Sequence, residues 1–317
     1  MYQEPLFLQP VFKERIWGGE RLKKVFGYEI PSNKTGECWG ISAHPHGPSI
    51  IKNGPLSGRR LDDVWRQHRS VFGDFPAGEF PLLTKILDAR SDLSVQVHPD
   101  DDYARKVEKV PYGKTECWYV IDCEEGAEII YGHHAKNAGE FRHLVDMGEW
   151  EKLLRKVKVK PGDFFYVPSG TIHAIGGGIM ILETQQSSDI TYRVYDYDRK
   201  DADGKTRELH IDAAVDVTRF PHHVEPLSYE VEQDQEAVRT QLVSEANFTV
   251  SHWDVRGKLI YKKDQQPFLL ISVIRGEGTI TTDGQQNPIQ QGDHLIIPKG
   301  VENIEIDGRC SCIVSHP

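Results

Sequence analysis

The sequence has 317 residues, a formal net charge of −10 and five cysteines. Its length accommodates one large domain or two of ordinary size. The acidic balance argues against nucleic acid as a partner, because no basic face would release counterions from a phosphate backbone, although a few Lys and Arg gathered in one pocket would still bind a small anion.

The cysteines are odd in number and lack a CxxC pair, so neither a disulfide framework nor a thiolate zinc site is expected. Reduced thiols are typical of the cytosol. No run is long enough to span a bilayer, and the first residues lack a cationic segment followed by an apolar core. These features predict a soluble cytoplasmic protein without membrane contacts.

Strand-like runs separated by Gly, Pro, Asn and Asp recur along the chain and favour a mostly β fold. Near the N-terminus, apolar residues at helical spacing predict a helix over 61–72, and the apolar run 80–87 predicts a strand. His44 and His46 are possible metal ligands by type. Their proline-containing loop favours a surface role instead.

The stretch 93–100 predicts a strand with polar side chains on one face. Alternation places Ser94, Gln96 and His98 together, with valines on the reverse face. Taken alone, this pattern is that of an ordinary half-solvated strand.

The next predicted strand, 114–121, places Lys114 and Glu116 on a face that continues into apolar residues. Charges entering a buried face are costly unless they are paired or bind a metal. Together with Gln96, His98 and the later His173, Glu116 makes a mixed nitrogen and oxygen donor set. Such a set suits Zn²⁺, with Fe²⁺, Mn²⁺ and Co²⁺ as rivals.

A small helical insertion is predicted over 141–157 and is followed by a spaced series of turn residues that ends on a histidine. The series is Gly162, Pro168, Gly170 and His173, with a short aromatic strand between the first two. A histidine just past such a turn can point into a barrel mouth. The pattern resembles the second sequence motif of the cupins, small jelly-roll β-barrels.

Two further strands, 179–185 and 190–197, follow His173. Alternation on the second places Arg193 on one face with Thr191, where it is a candidate anion clamp; a surface arginine is the simpler interpretation. The charged segment 198–237 has weak periodicity and is predicted to connect two units.

The C-terminal part repeats the earlier motif at a constant offset of 130 residues. Gly292, Asp293, Pro298 and Gly300 occupy the places of Gly162, Asp163, Pro168 and Gly170, and Asn303 stands where His173 stands. We therefore predict two cupin-type jelly-roll β-barrels with a small helical insertion: a catalytic metal-binding domain over 1–237 and a C-terminal domain over 238–317 that lacks metal ligands.

The motifs LSVQVHPDD, GKTE, GTIHAI and SSDITYR together resemble those of the type I mannose-6-phosphate isomerases, in their short bacterial form. This resemblance implies an aldose-ketose isomerase that interconverts mannose 6-phosphate and fructose 6-phosphate through an enediolate, with one Zn²⁺ per chain. The zinc ligands it implies are Gln96, His98, Glu116 and His173. It assigns Arg193 and Lys114 to catalysis and Ser94, Lys85 and Asp189 to substrate binding.

The resemblance leaves the proton carrier open among Lys114, His98 and Asp189. Longer members of the family carry a large helical domain between the Glu and second His ligands, whereas only residues 117–172 separate them here, so the closure of the pocket on that side is undetermined. The expected partner is a small phosphosugar, and the chain is expected to be a monomer. The alternatives are an iron-dependent cupin oxygenase and a non-catalytic sugar-binding bicupin.

Overall fold

The computed structural model describes residues 2–200, 203–224 and 226–317. The predicted mostly β fold is confirmed. In the first part of the chain the strands are β1 (Leu6–Gln9), β2 (Val11–Gly19), β3 (Thr35–Ile41), β4 (Ile50–Ile51), β5 (Leu82–Ala89), β6 (Val95–Val97), β7 (Glu116–Cys123), β8 (Glu128–His133), β9 (Leu154–Lys158), β10 (Phe164–Val167), β11 (His173–Ile175), β12 (Ile179–Gln186) and β13 (Tyr192–Tyr195).

The second part of the chain continues with eight more strands. They are β14 (Glu230–Gln233), β15 (Ala237–Glu245), β16 (Phe248–Val255), β17 (Lys258–Lys262), β18 (Leu269–Thr282), β19 (Gln285–Gln290), β20 (His294–Ile297) and β21 (Asn303–His316). The helices are short: α1 (Arg21–Phe26), α2 (Leu61–Gln67), α3 (Asp101–Tyr103), α4 (Ala138–Asp146), α5 (Trp150–Leu153) and α6 (Ile211–Val217). Among the described residues, no helix is both long and apolar enough to cross a membrane.

Over the described ranges the strands pair into three sheets. Sheet I has the order β10-β7-β12-β5-β2-β3, and sheet II has the order β13-β6-β11-β8-β9. Sheet III has the order β14-β15-β16-β21-β18-β20-β1-β4, with β17 and β19 paired to β21 and β18. Neighbouring strands are antiparallel, as in jelly rolls.

Sheets I and II enclose one apolar cluster, and each buries its outer face against another layer. The enclosed cluster includes Trp118 and Ile175. The outer face of sheet II, with Val95 and Val97, packs on α4, α5 and α6. The outer face of sheet I packs on sheet III through residues such as Ile86 and Leu270. The strands that carry the site are therefore held in place by packing on both of their faces.

The predicted helices are partly confirmed. The run 61–72 contains α2 followed by a 3₁₀ turn at Arg69–Phe72. The helical prediction over 141–157 is wrong at its end, because α5 stops at Leu153 and the chain continues as β9 along the edge of β8. Lys156 and Lys158 alternate outward in that strand, which is the period of two that a helix would not produce.

The sequence repeat is present in the fold. Strand β20 begins 130 residues after β10, which starts at Phe164, and β21 begins 130 residues after β11, with Asn303 in the place of His173. Gly162 and Gly292 precede these strands with φ of 92° and 94°, a conformation that glycine adopts without strain. Asn303 is exposed.

The interior of sheet III is filled with apolar side chains, among them Trp253, Ile271, Leu295 and Ile306. Strands β1 and β4, from the N-terminal part of the chain, pair within this sheet. The filled interior supports the expectation that the C-terminal domain holds no metal, but this absence stays a prediction. The predicted domain boundary between residues 237 and 238 stays a prediction as well.

Sheets I and III lie in close contact where Gly40 of β3 faces His294 of β20. A Cβ placed on Gly40 would lie 2.3 Å from the imidazole Cε1. His294 cannot give way easily, because it is buried and its two ring nitrogens lie 2.8 Å from Ser272 Oγ and 3.0 Å from Tyr28 Oη.

We therefore expect Gly40→Ala to lower the free energy of unfolding by about 1–3 kcal/mol, as overpacking of a tight core does. Chemical denaturation followed by tryptophan fluorescence measures this change. The matched control is Gly78→Ala, where an added Cβ meets no atom within 4 Å. Equal stability of the two variants would contradict the tight contact.

Candidate active site

A pocket of about 760 Å³ opens between the inner faces of sheets I and II. Its volume is ordinary for a small-molecule site. Its lining includes most of the residues that the sequence singled out, together with some that it did not. The predicted ones are Lys85, Ser94, Gln96, Lys114, Glu116, His173, Asp189 and Arg193.

The four predicted metal ligands lie together: Gln96, Glu116 and His173 line this pocket, and His98 is buried next to them. Donor atoms of His98, Glu116 and His173 all lie within 4.8 Å of one another, and each residue is 1% exposed. Gln96 joins them, with Nε2 at 3.5 Å from His98 Nε2 and 3.3 Å from His173 Nε2. The donor atoms therefore surround a common point.

Strand register produces this convergence. His173 of β11 lies opposite Gln96 of β6 in sheet II. Glu116 begins β7 in sheet I, and the turn at Gly170 is tied back by its N–H, which donates to the His98 carbonyl at 2.9 Å. The post-turn histidine thus points between the sheets, as the motif predicts.

The outer nitrogens of both histidines contact backbone carbonyls. His98 Nδ1 lies 2.7 Å from the Ile190 oxygen, and His173 Nδ1 lies 2.8 Å from the Thr171 oxygen. Because a carbonyl can only accept, both Nδ1 atoms carry the proton, and both Nε2 lone pairs point to the common centre. Burial lowers the pKa of each imidazole and keeps it neutral.

These residues fit a divalent metal. Glu116 Oε2 is buried and makes no hydrogen bond of acceptable geometry, although Lys114 Nζ lies 2.6 Å away. Two neutral imidazoles, one carboxylate and one amide provide a set that suits Zn²⁺ and similar ions. Ligation by Gln96 requires its amide oxygen, rather than Nε2, to face the centre, because the nitrogen has no free lone pair.

Lysines and glutamates pair beside the ligands. Lys114 Nζ lies 3.2 Å from His98 Nε2 and 3.9 Å from Glu183 Oε1, and Lys85 Nζ lies 3.4 Å from the same Glu183 oxygen. Burial alone would lower the pKa of Lys114, but the Glu116 and Glu183 carboxylates outweigh it and raise that pKa. Lys114 is therefore a cation at neutral pH.

Glu183 was missed by the sequence analysis. Burial, and then the charge of Glu116, raise its pKa, and its Oε1 is buried without a hydrogen bond. The available signal was alternation: Glu183 shares a strand face with the apolar Ile179 and Ile181, and it lies opposite Lys85 in the register of β12 with β5.

Arg193, Ser94 and Asp189 also line the pocket. Arg193 of β13 lies opposite Gln96 in register, its Nε donates to Ser94 Oγ at 3.3 Å, and one terminal nitrogen donates to the Glu208 carbonyl at 2.9 Å. Asp189 is exposed and contacts His46 Nδ1 at 2.7 Å. Arg193 thus lies among the site residues and is not a free surface arginine.

The mouth includes residues that the sequence analysis placed elsewhere. His46 is exposed as expected, but the surface role expected for His44 is wrong: its ring is buried edge-on against Trp39. Arg207 and His210, from the segment predicted to be a connection, line the pocket together with Lys13 of β2. These residues border the mouth, whereas the helices of segment 117–172 pack outside sheet II.

The sequence and the fold match one enzyme family. Residues 6–130 match the profile of the phosphomannose isomerase type I catalytic domain, and residues 238–317 match that of the mannose-6-phosphate isomerase cupin domain. A mannose-6-phosphate isomerase of Bacillus subtilis is 54% identical over 316 residues, which is 100% of both chains. One of Streptococcus mutans is 53% identical over 99% of this chain and 98% of the relative.

Solved structures agree. The crystal structure of the mannose 6-phosphate isomerase from Bacillus subtilis has a TM-score of 0.97 at 50% identity and covers 99% of this chain and 100% of its own. A phosphomannose isomerase from Salmonella typhimurium has a TM-score of 0.78 at 17% identity, covering 98% of this chain and 99% of its own, and thus shares the fold. The predicted cupin class is confirmed.

Trp118 provides a test of whether hydrogen bonds from outside the ligand set stabilise metal binding. Its indole N–H contacts Glu116 Oε1 at 3.0 Å and Glu183 Oε2 at 3.1 Å. We expect Trp118→Phe to weaken metal retention about 10–100-fold, as loss of an outer hydrogen-bond partner does. Competition with a chelator measures the affinity. Trp150→Phe, on the outer side of sheet II, is the control, and equal affinities of the two variants would contradict this role.

Proposed function

Because the chain belongs to the type I phosphomannose isomerases and is a mannose-6-phosphate isomerase, we propose that it interconverts mannose 6-phosphate and fructose 6-phosphate in the pocket between sheets I and II. The observation that carries this assignment is the convergence of Gln96, His98, Glu116 and His173 beside a wall of buried lysines. The relatives do not favour the oxygenase and non-catalytic alternatives.

We propose that those four residues hold one Zn²⁺ per chain. The family is metal-dependent, and the mixed nitrogen and oxygen donors support zinc among the divalent ions. When bound, the ion supplies Lewis-acid stabilisation of the negative charge that develops on the sugar oxygens. That the chain is a monomer and works in the cytoplasm stays a prediction.

The protein side chains supply the remaining chemistry. Moving the carbonyl between C1 and C2 removes a proton α to it and creates an enediolate. Lys114 and Arg193 are the cations proposed to stabilise that charge, which appears only along the reaction path. Lys85 and Ser94 line the same wall and are proposed to hold the substrate, together with Asp189 at the mouth.

Lys114 is the proton carrier we favour. Its Nζ lies 2.6 Å from Glu116, whose negative charge raises the pKa of the lysine despite burial. If Glu116 shared its charge with a bound metal, that pull would weaken and Lys114 would give up its proton more easily. Of the other candidates, His98 uses both ring nitrogens within the site, and Asp189 lies exposed at the mouth.

The first test combines metal removal with a change of ligand. Dialysis against a chelator should abolish turnover of mannose 6-phosphate in a coupled assay, and added Zn²⁺ should restore it. His173→Ala should hold less than one metal ion per chain and lose activity. Elemental analysis counts the metal, with the exposed His143→Ala as the control. A His173→Ala protein that keeps wild-type metal content and affinity would rule out this ligand set.

The second test concerns Arg193. A guanidinium near C1 and C2 should bind the enediolate better than the ground state, so Arg193→Ala should lower kcat by about 10²–10³-fold with little change in KM or metal content. Steady-state kinetics measures the effects on kcat and KM separately. Arg105→Ala, at an exposed arginine, is the control. A defect confined to KM would instead assign Arg193 to the substrate phosphate.

A further inference from the structure

A second group of potential metal ligands lies at the mouth of the pocket. It consists of His44 and His46, in the loop after β3, and Asp189, in the loop between β12 and β13. Their candidate donor atoms lie within 4.8 Å of one another. Within the parts of the chain that the structure describes, this is the other such group besides His98, Glu116 and His173.

The Asp189 carboxylate joins the two imidazoles. One oxygen lies 2.7 Å from His46 Nδ1, and the other lies 3.7 Å from His44 Nε2. The two rings contact each other at 4.9 Å between centroids with an angle of 64° between their planes. The carboxylate therefore already bridges one ring nitrogen of His44 and one of His46.

His44 is the fixed member of the group. It is buried, and its ring packs edge-on against Trp39 at 5.6 Å. Burial lowers the pKa of this imidazole, so that it is neutral and able to provide a lone pair. His44 Nδ1 accepts a long hydrogen bond of 3.3 Å from the His46 backbone N–H. When Nε2 binds a metal ion, the single proton of the neutral ring must lie on Nδ1. Nδ1 then no longer accepts the hydrogen bond from His46.

We propose that His44, His46 and Asp189 form a second divalent-cation site, for Zn²⁺ or an ion of similar preference. Two imidazoles and one carboxylate are a donor set of zinc sites that leave a position open. His46 and Asp189 are exposed, so water completes the coordination and the site binds more weakly than the buried four-residue set. It fills only after the buried set is loaded.

Occupancy of this site affects the reaction. Asp189 and His46 both line the pocket, so an ion bound there withdraws the Asp189 carboxylate from the sugar and narrows the mouth. Metal in excess of one equivalent therefore inhibits in competition with the phosphosugar. This consequence rests on the proposed function, whereas the binding of the ion does not.

The experiment starts from protein that has been desalted to one zinc ion per chain. Equilibrium dialysis against increasing ZnCl₂, in a buffer free of phosphate and chelator, is followed by elemental analysis. Wild type should take up a second equivalent, and His46→Ala should stay at one, because alanine leaves no ligand atom at this position. His143→Ala is the matched control, because it removes an exposed histidine on α4, and it should still bind two.

Initial rates at several zinc and mannose 6-phosphate concentrations form the second arm. Zinc should raise the apparent KM of wild type and of His143→Ala, and His46→Ala should need at least 10-fold more zinc for the same effect. Saturation of wild type at one equivalent, or a second equivalent that survives His46→Ala, overturns the proposal. If the protein failed to isomerise mannose 6-phosphate, the dialysis arm would still decide the site.

Discussion

The central physical constraint in this molecule is the burial of ionised side chains along sheet I. Lys85, Lys114, Glu116 and Glu183 are each no more than 6% exposed. A buried charge without a partner costs several kcal/mol, so each must face an opposite charge, and their contacts of 2.6–3.9 Å provide this. The charges of these four cancel.

Holding those groups in place requires strands that are covered on both sides. The inner faces carry the charges and ligands, and the outer faces are apolar. The helices α4, α5 and α6 cover sheet II, while sheet III covers sheet I. The C-terminal repeat thus supports sheet I by packing against its outer face. Its own interior is filled by residues such as Trp253 and Leu295, whereas sheets I and II have a pocket between them.

The sequence predicted the parts of the site that follow from alternation and from a turn motif. Gln96 and Glu116 line the pocket, as expected from the strand period that fixes a face, and so does His173, whose direction the turn fixes; their role as metal ligands stays a prediction. Glu183 was missed because its contact with Lys85 depends on register between strands about a hundred residues apart. His44 was misread because its burial depends on the ring of Trp39, which packs against it, and not on the loop composition. Arg207 and His210 lie in a segment without periodicity, so only the tertiary structure brings them to the pocket.

The pairing of β1 with β20 links the order of synthesis to the order of folding. Leu6 leaves the ribosome long before Ile296, which is its partner across the sheet. One edge of β1 can pair early with β4, but the other edge must wait for its partner until β20 has been translated. Closing so long a loop carries an entropic cost that local contacts do not, which slows folding. Sheets I and II can form before sheet III is translated, but the packing of sheet I against sheet III is completed only after β20 and β21 have been made.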